Sequence, residues 1–310
     1  MVHITTPNKK PVLHAGTARR NLPALLMAGA GLLMVAPGLV LAAAPVGEAV
    51  GTPAPEVSNT AASRHAQPSF ELGGGVAVNP LYEGSSRYEA FPSLALKAVM
   101  PTAHWGTFTA AFPEGLRWDL PNMSAFGVAL LVGYDPGRKE KIRTLGGNNS
   151  YLKGMGDLDS TALVGAEAYL NLSAGRLFVR GLQATSKRDY GGDDLGRTAY
   201  LEAGAANSLP LAANMTLDSA LYGTWSDSHD MMARFGVTGQ QAAHTDFREY
   251  HAGGGMRDVT LRTMLTVQVQ PHVALQGGLK LYTLTAGARN SPLTDDTVGA
   301  GAFLNALYRF

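Results

Sequence analysis

A few short stretches of this chain carry residue types able to do chemistry. Ser228-His229-Asp230 joins a nucleophile, a base and an acid. Adjacent residues cannot easily act as a triad, because the three side chains must converge on one reacting atom. Asp193-Asp194 together with His229-Asp230 loosely resembles the acid and histidine pairs of a protease, but acidic loops are more often solvated surface or divalent-cation contacts. Asp157 and Asp159 resemble part of a carboxylate metal loop, but no further ligands follow at set spacing. Gly73-Gly74-Gly75 and Gly253-Gly254-Gly255 are not followed by helices, so they are not phosphate loops; they suit strand bending or close approach. No catalytic, cofactor-binding or metal-binding residue is assigned from these stretches. The elements that would have to position them point elsewhere.

Composition narrows the class. Of 310 residues, 45% are hydrophobic and only 16% charged, where a soluble domain usually has about 25% charged. The net charge of +1 gives no reason to expect nucleic-acid binding. There is no Cys, which excludes disulfides, thiolate sites and a lipid-anchored Cys. After the first 45 positions no run of about 20 apolar residues occurs, so no helical membrane span is expected there.

Residues 1–44 read as a secretory signal peptide. Lys9, Lys10, Arg19 and Arg20 form its basic start, Leu22 to Leu41 its apolar core, and Ala42-Ala43-Ala44 a small-residue cleavage site. Pro45 makes a cut directly after Ala44 awkward, and a retained anchor is the alternative. Arg19-Arg20 hints at a route for folded proteins, which a lipid-facing barrel could not use. Residues 45–68, rich in Ala, Pro, Ser and Thr, read as a disordered periplasmic linker.

From Ser69 to Phe310 the pattern is alternation with period two, the signature of strands. Val259, Leu261, Thr263, Leu265, Val267 and Val269 alternate with Thr260, Arg262, Met264, Thr266, Gln268 and Gln270. The final strand alternates too, with Val298, Ala300, Ala302, Leu304, Ala306, Tyr308 and Phe310 on its oily face. About twelve strands are expected: 69–79, 89–100, 106–112, 115–120, 125–134, 160–170, 176–185, 197–209, 215–226, 253–270, 272–284 and 298–310. The third and fourth are the weakest, and ten strands with one long bent strand is the alternative. A soluble sandwich also alternates, but its strands are usually shorter. Short and long connections take turns along the chain, with Pro113-Glu114 the exception. That sidedness predicts an all-β fold: a transmembrane, antiparallel, up-and-down β-barrel occupying residues 69–310. Trp105, Trp118, Trp225 and the Tyr residues near strand ends are expected in its interfacial girdles.

The charges within strands share one face. Lys97, Glu167, Arg180, Glu202, Asp218, Arg262, Lys280 and Arg309 all fall opposite the oily face, and so are expected in the lumen. A lipid-facing Lys or Arg would cost about 2–4 kcal/mol at mid-membrane. Arg262 and Lys280 lie on adjacent strands and need a carboxylate; Glu167, Glu202 and Asp218 are the candidates. Such a filling implies a narrow or plugged lumen.

Several stretches, taken in order, resemble the MipA/OmpV family of outer-membrane proteins, known as MltA-interacting proteins. They are Asn79-Pro80-Leu81-Tyr82-Glu83-Gly84-Ser85-Ser86-Arg87-Tyr88 followed by Pro92, then Gly133-Tyr134-Asp135-Pro136-Gly137-Arg138, and Gly154-Met155-Gly156-Asp157-Leu158-Asp159. Phe235-Gly236-Val237-Thr238, Gly255-Met256-Arg257-Asp258-Val259, Ser291-Pro292 and Tyr308-Arg309-Phe310 complete the set. Met231-Met232-Ala233-Arg234 departs from the family pattern, which has aromatic residues near there. The resemblance implies a barrel in the Gram-negative outer membrane without catalytic residues. Tyr308 and Phe310 would then be read by the assembly machinery. It also implies a scaffold that joins a murein transglycosylase to a penicillin-binding protein that makes murein. A narrow porin-like channel for small solutes, or an osmotic or stress-response barrel, is the alternative. The surroundings would be outer-membrane lipid and lipopolysaccharide. An outer-membrane hydrolase is the third reading.

Overall fold

The computed structural model describes residues 67–121 and 125–310. The expected signal peptide and nearly all of the expected linker lie outside the described residues. Twelve antiparallel strands close into one barrel. They are β1 (Ser69–Pro80), β2 (Tyr88–Pro101), β3 (Thr107–Phe112), β4 (Gly115–Asp119), β5 (Phe126–Asp135) and β6 (Thr161–Leu172), then β7 (Gly175–Ala184), β8 (Ala199–Ala212), β9 (Met215–Ser226), β10 (Gly255–Gln270), β11 (Val273–Leu284) and β12 (Val298–Arg309). Each pairs with its chain neighbours, and β12 returns to β1. β3 and β4 are two separate short strands, so the ten-strand alternative falls.

Closure at the β1–β12 seam depends on glycine. A Cβ on Gly75 would sit 1.8 Å from the Leu304 carbonyl oxygen, and one on Gly73 would sit 2.4 Å from that of Ala306. A side chain at either position would force the two edges apart. The register runs unbroken from Glu71 opposite Arg309 to Val78 opposite Ala302.

The alternation read from the sequence sorts the two faces of the wall. Val76, Leu94, Leu130, Val164, Val179, Leu221, Leu279 and Leu304 are exposed on the outside. At the end with short turns the apolar surface finishes in aromatic residues. Phe310 packs 5.3 Å from Phe70 and 4.9 Å from Tyr308, and Phe108 stacks on Trp118 at 5.2 Å. Tyr88, Tyr134 and Trp225 stand exposed near the opposite end. From Val298 to Tyr308 the rise is about 25 Å at ~3.3 Å per residue and ~40° tilt, the height of a membrane-spanning apolar band. No helix among the described residues is long and apolar enough to cross a membrane.

The two faces of β10 differ in what they tolerate. Leu265 stands on the outward face, level with Leu217 and Gly277, whereas Met264 turns inward. Leu265→Arg is expected to destabilise folding into lipid vesicles by about 2–4 kcal/mol, and Met264→Arg by much less. Equal tolerance of the two changes would contradict this register.

Candidate functional site

The long connections fold inward at one mouth of the barrel and build a cap with its own core. Leu81 and Tyr82 come from the first connection. Ile142, Leu152, Met155 and Leu158 come from the connection after β5, and Tyr190 from that after β7. Ala233, Val237 and Leu293 come from the last two long connections, and Phe91 of β2 joins them.

Three short helices stiffen the cap: α1 (Ser228–Phe235), α2 (Gly239–His244) and α3 (Ala286–Arg289). Asp227 starts α1 by accepting the Asp230 N–H at 2.7 Å. Thr238 and Gln241 form a reciprocal capping box at α2, with bonds of 3.2 and 2.9 Å. Helical period was weak in the sequence, and these helices are too short to display it. Thr238-Gly239-Gln240-Gln241 is the local signal that could have located α2. Met231 and Phe235, one turn apart on α1, pack with Tyr282, Leu284 and Ala288. Met231 is fully buried there, and its flexible side chain adapts to the space.

Under the cap runs a chain of buried ion pairs. Asp135, at the end of β5, accepts from Arg188 at 2.9 Å and from Arg234 at 3.1 Å. Arg234 also reaches Asp230 at 3.1 Å, and Asp230 accepts from Arg257 at 2.9 Å. Arg257 binds Asp258 at 2.9 Å and lies 3.9 Å from Glu83, which takes Lys280 at 3.3 Å. Arg188, Arg234, Arg257 and Lys280 therefore face Asp135, Asp230, Asp258 and Glu83, so the charges balance. Ser226, Thr224 and Thr260 bond to the carboxylates of Asp230 and Asp258. Arg138 ties the chain to the apolar core: it donates to the Arg234 carbonyl at 2.9 Å and the Tyr190 hydroxyl at 2.5 Å. Removing one partner from such a buried pair typically costs about 3–5 kcal/mol, because the other charge stays buried.

A second group of charges lies lower in the lumen. Arg180 pairs with Glu202, and Arg117 donates to Asp119 at 2.8 Å and to Glu167 at 2.9 Å. Arg176 lies 3.9 Å from Glu167, and its guanidinium stacks 3.8 Å over the Tyr169 ring. Glu167, Arg180 and Glu202 are buried and stand side by side across β6, β7 and β8.

The structure redistributes the residues singled out in the sequence. Arg262 and Lys280 do face each other across β10 and β11. The carboxylate at Lys280 is not Glu167, Glu202 or Asp218, however, but Glu83 from the first connection. Glu167 and Glu202 are already matched by arginines on neighbouring strands. Asp218 is half-buried, opposite Ser208 and Met264 in register. Lys97 stands opposite Glu71. Arg309 also pairs with Glu71, and its half-exposed side chain sits at the rim of the short-turn end. Tyr308 and Phe310 lie exposed on the outer face at that same end.

The catalytic-type stretches do not converge. Asp230 turns inward to Arg234 and Arg257, while His229 stays exposed, 3.4 Å from Asp227. Asp194 is exposed and pairs with Lys187 at 2.7 Å. Asp157 takes Lys139 and the Glu140 N–H, both at 3.0 Å. Among the described residues, no group of three or more His, Cys, Asp or Glu is placed to hold a metal ion.

Glu83 gives the cap a defined response to acid. Burial alone would push its carboxyl up, but Arg257, Lys280 and Arg234 outweigh that and hold it at about 2, against an ordinary 4.5. A depressed folded value means that its stabilisation is complete above 4.5 and is lost as pH falls towards about 2. Protease resistance of the connection around Glu83 should therefore hold from neutral pH down to about 4.5 and fail only below it. Loss of resistance near pH 6 would show that other groups control the cap.

The stretches that carried the family resemblance meet in this cap, supplying Tyr82, Glu83, Asp135, Arg138, Met155, Leu158, Phe235, Val237, Arg257 and Asp258. Ser291 from another such stretch bonds the Phe235 carbonyl at 2.6 Å. Among solved structures, the chain is similar to the in-vitro folded outer membrane protein OmpT of Vibrio cholerae, at 9% identity and a TM-score of 0.32. That match covers 71% of this chain and 65% of OmpT, so the chain spans just under two thirds of its length. It is also similar to the NanC porin, at 10% identity and TM-score 0.39, over 77% of this chain and 98% of that one. A third is the COG4313 outer membrane channel from Pseudomonas putida F1, at 10% identity and TM-score 0.34, over 80% and 98%. These likenesses are distant, and the barrel rests on its own strand ladder. No curated protein matches the chain. The family model described as MltA-interacting protein MipA matches residues 72–310, and the chain belongs to that family.

Proposed function

We propose that this chain is an outer-membrane barrel, exported through a cleaved signal peptide, that works as a scaffold and not as an enzyme. Its partners are a murein-degrading transglycosylase and a murein-synthesising penicillin-binding protein. The observation that carries this reading is the cap. One mouth is occupied by a packed core over a balanced chain of ion pairs, which leaves little room for bulk solute flow. The opposite rim, bearing short turns and both barrel termini, is the free surface for periplasmic partners. The family's description supports a murein enzyme among them.

Two measurements test this together. Crosslinked envelopes should yield a murein transglycosylase with the protein, and the purified protein should conduct weakly in planar bilayers. Changing Arg262 and Lys280 together to Ala removes bulk and charge from the lumen. It should raise conductance and leave partner recovery near normal. Strong conductance by the unmodified protein, with the double change altering mainly ion selectivity, would replace the scaffold by a channel.

Assembly depends on the closing strand in this proposal. Phe310 donates its backbone N–H to the Phe70 carbonyl at 3.0 Å, so the last residue helps close the seam. Tyr308 and Phe310 form the signal read at the membrane. Deleting Phe310, or replacing it by Asp, should leave the protein in the periplasm to be degraded. Heat-modifiable, folded protein in the outer membrane after that deletion would remove Phe310 from the signal.

A further inference from the structure

The barrel wall has a notch on the cap side. The β2–β3 ladder ends at Leu96 opposite Phe112, and the β4–β5 ladder ends at Leu116 opposite Val132. β2 and β5 continue upward to Tyr88 and Asp135, but the β3–β4 hairpin stops at Pro113-Glu114. From Thr107 to Phe112 the wall rises only about 13 Å, roughly half the height of β12. Two strands are missing above the hairpin, so the gap between β2 and β5 is about 14 Å wide at ~4.8 Å per strand.

The edges of the notch can be read from the ladder. Thr102 donates to the Gly106 carbonyl, so even-numbered residues of β2 direct their backbone groups towards β3. Ala90, Pro92 and Leu94 therefore face the gap. The Ala90 carbonyl accepts from Leu145 at 2.8 Å, where the hairpin of residues 142–149 closes the top. Pro92 has no N–H to offer, which is how a strand edge avoids pairing with another strand. On the other side, Leu120 donates to Val128, so Tyr134 presents its backbone to the gap. The rim is apolar outside, with Leu94, Phe112, Leu116, Val132 and Tyr134 exposed. Inside, Ser93, Ala95 and Gly133 are partly exposed although they face the lumen. Asp218, Arg262 and Met264 inside the opposite wall are partly exposed as well, whereas Phe178, Tyr222 and Tyr282 there are buried.

We infer that this notch is a lateral lipid site: an acyl chain of the surrounding bilayer lipid lies between β2 and β5, above the β3–β4 hairpin. The notch is continuous with the apolar band, so lipid is the medium that reaches it. Pro92 disfavours a protein strand as the occupant. The N–H groups of Leu94 and Tyr134 are placed to donate to the lipid's ester carbonyls, which meets the need of backbone groups at membrane depth.

The unmodified, full chain tests the site. It is folded into phosphatidylcholine vesicles whose lipid carries a diazirine on one acyl chain, irradiated and mapped by peptide mass. Label is expected on Ser93, Ala95 or Gly133 as well as on outward Leu94, with none on Phe178 or Tyr222. Label confined to outward residues overturns the site, as does label spread equally over the far wall. Ser93→Trp fills the notch and should abolish the inward label while outward Leu279 stays labelled. The wild-type map decides even if that variant does not fold. In native envelopes, a photoreactive side chain replacing Ser93 should give a lipid-sized adduct. A protein-sized adduct overturns the proposal in favour of a strand partner.

Discussion

Asp230 and Arg257 meet 2.9 Å apart inside the cap, and the rest of the mouth is arranged around that pair. A charge buried away from water is tolerable only when an opposite charge and hydrogen bonds attend it. Asp230 comes from a helix in a loop, and Arg257 from a barrel strand. Their contact therefore fixes loop to wall. Arg234 extends the tie to Asp135 and Lys280 extends it to Glu83, so strands and loops from both halves of the chain are held by one alternating series of charges. Once the polar layer is satisfied, the apolar residues above it can pack as an ordinary core.

The same charges would have been unusable on the outer wall, where lipid offers neither counter-charge nor hydrogen bonds. The apolar exterior and the ion-paired interior are thus two consequences of one constraint. It also accounts for the low charged fraction of the chain. Most of the outer face of the wall contributes no charge, and the inner face holds charges in near-equal numbers. The lower group around Glu167, Arg117 and Arg180 follows the same rule with cross-strand neighbours instead of loop residues.

The wall is not uniform in height, and that unevenness matters beyond closure. A barrel needs every strand to reach the short-turn rim, but not every strand to reach the other one. The short β3–β4 hairpin meets the first requirement and leaves the second to a loop. The hairpin of residues 142–149 covers the upper part of the shortfall through the Leu145–Ala90 bond. Long connections in this protein therefore complete the wall as well as capping the lumen.

Strand positions, the alternation of faces and the sidedness of turns and loops were legible in the sequence. They depend on local period and on turn residues, and local period survives folding unchanged. Even the weak third and fourth strands could be placed, because Pro113-Glu114 interrupts an otherwise alternating stretch. That Lys280 points inward follows from parity alone. That its partner is Glu83, 197 residues away, does not, because parity says which face a side chain takes and nothing about which loop folds over it. The cap was invisible for the same reason. Its helices are too short for periodicity, and its core draws one or a few residues from each of many separated stretches. The sequence by itself determined a closed barrel with an apolar outside. Only the tertiary structure decided what occupies its mouth and where its wall is cut low, since both depend on contacts between segments that share no local pattern.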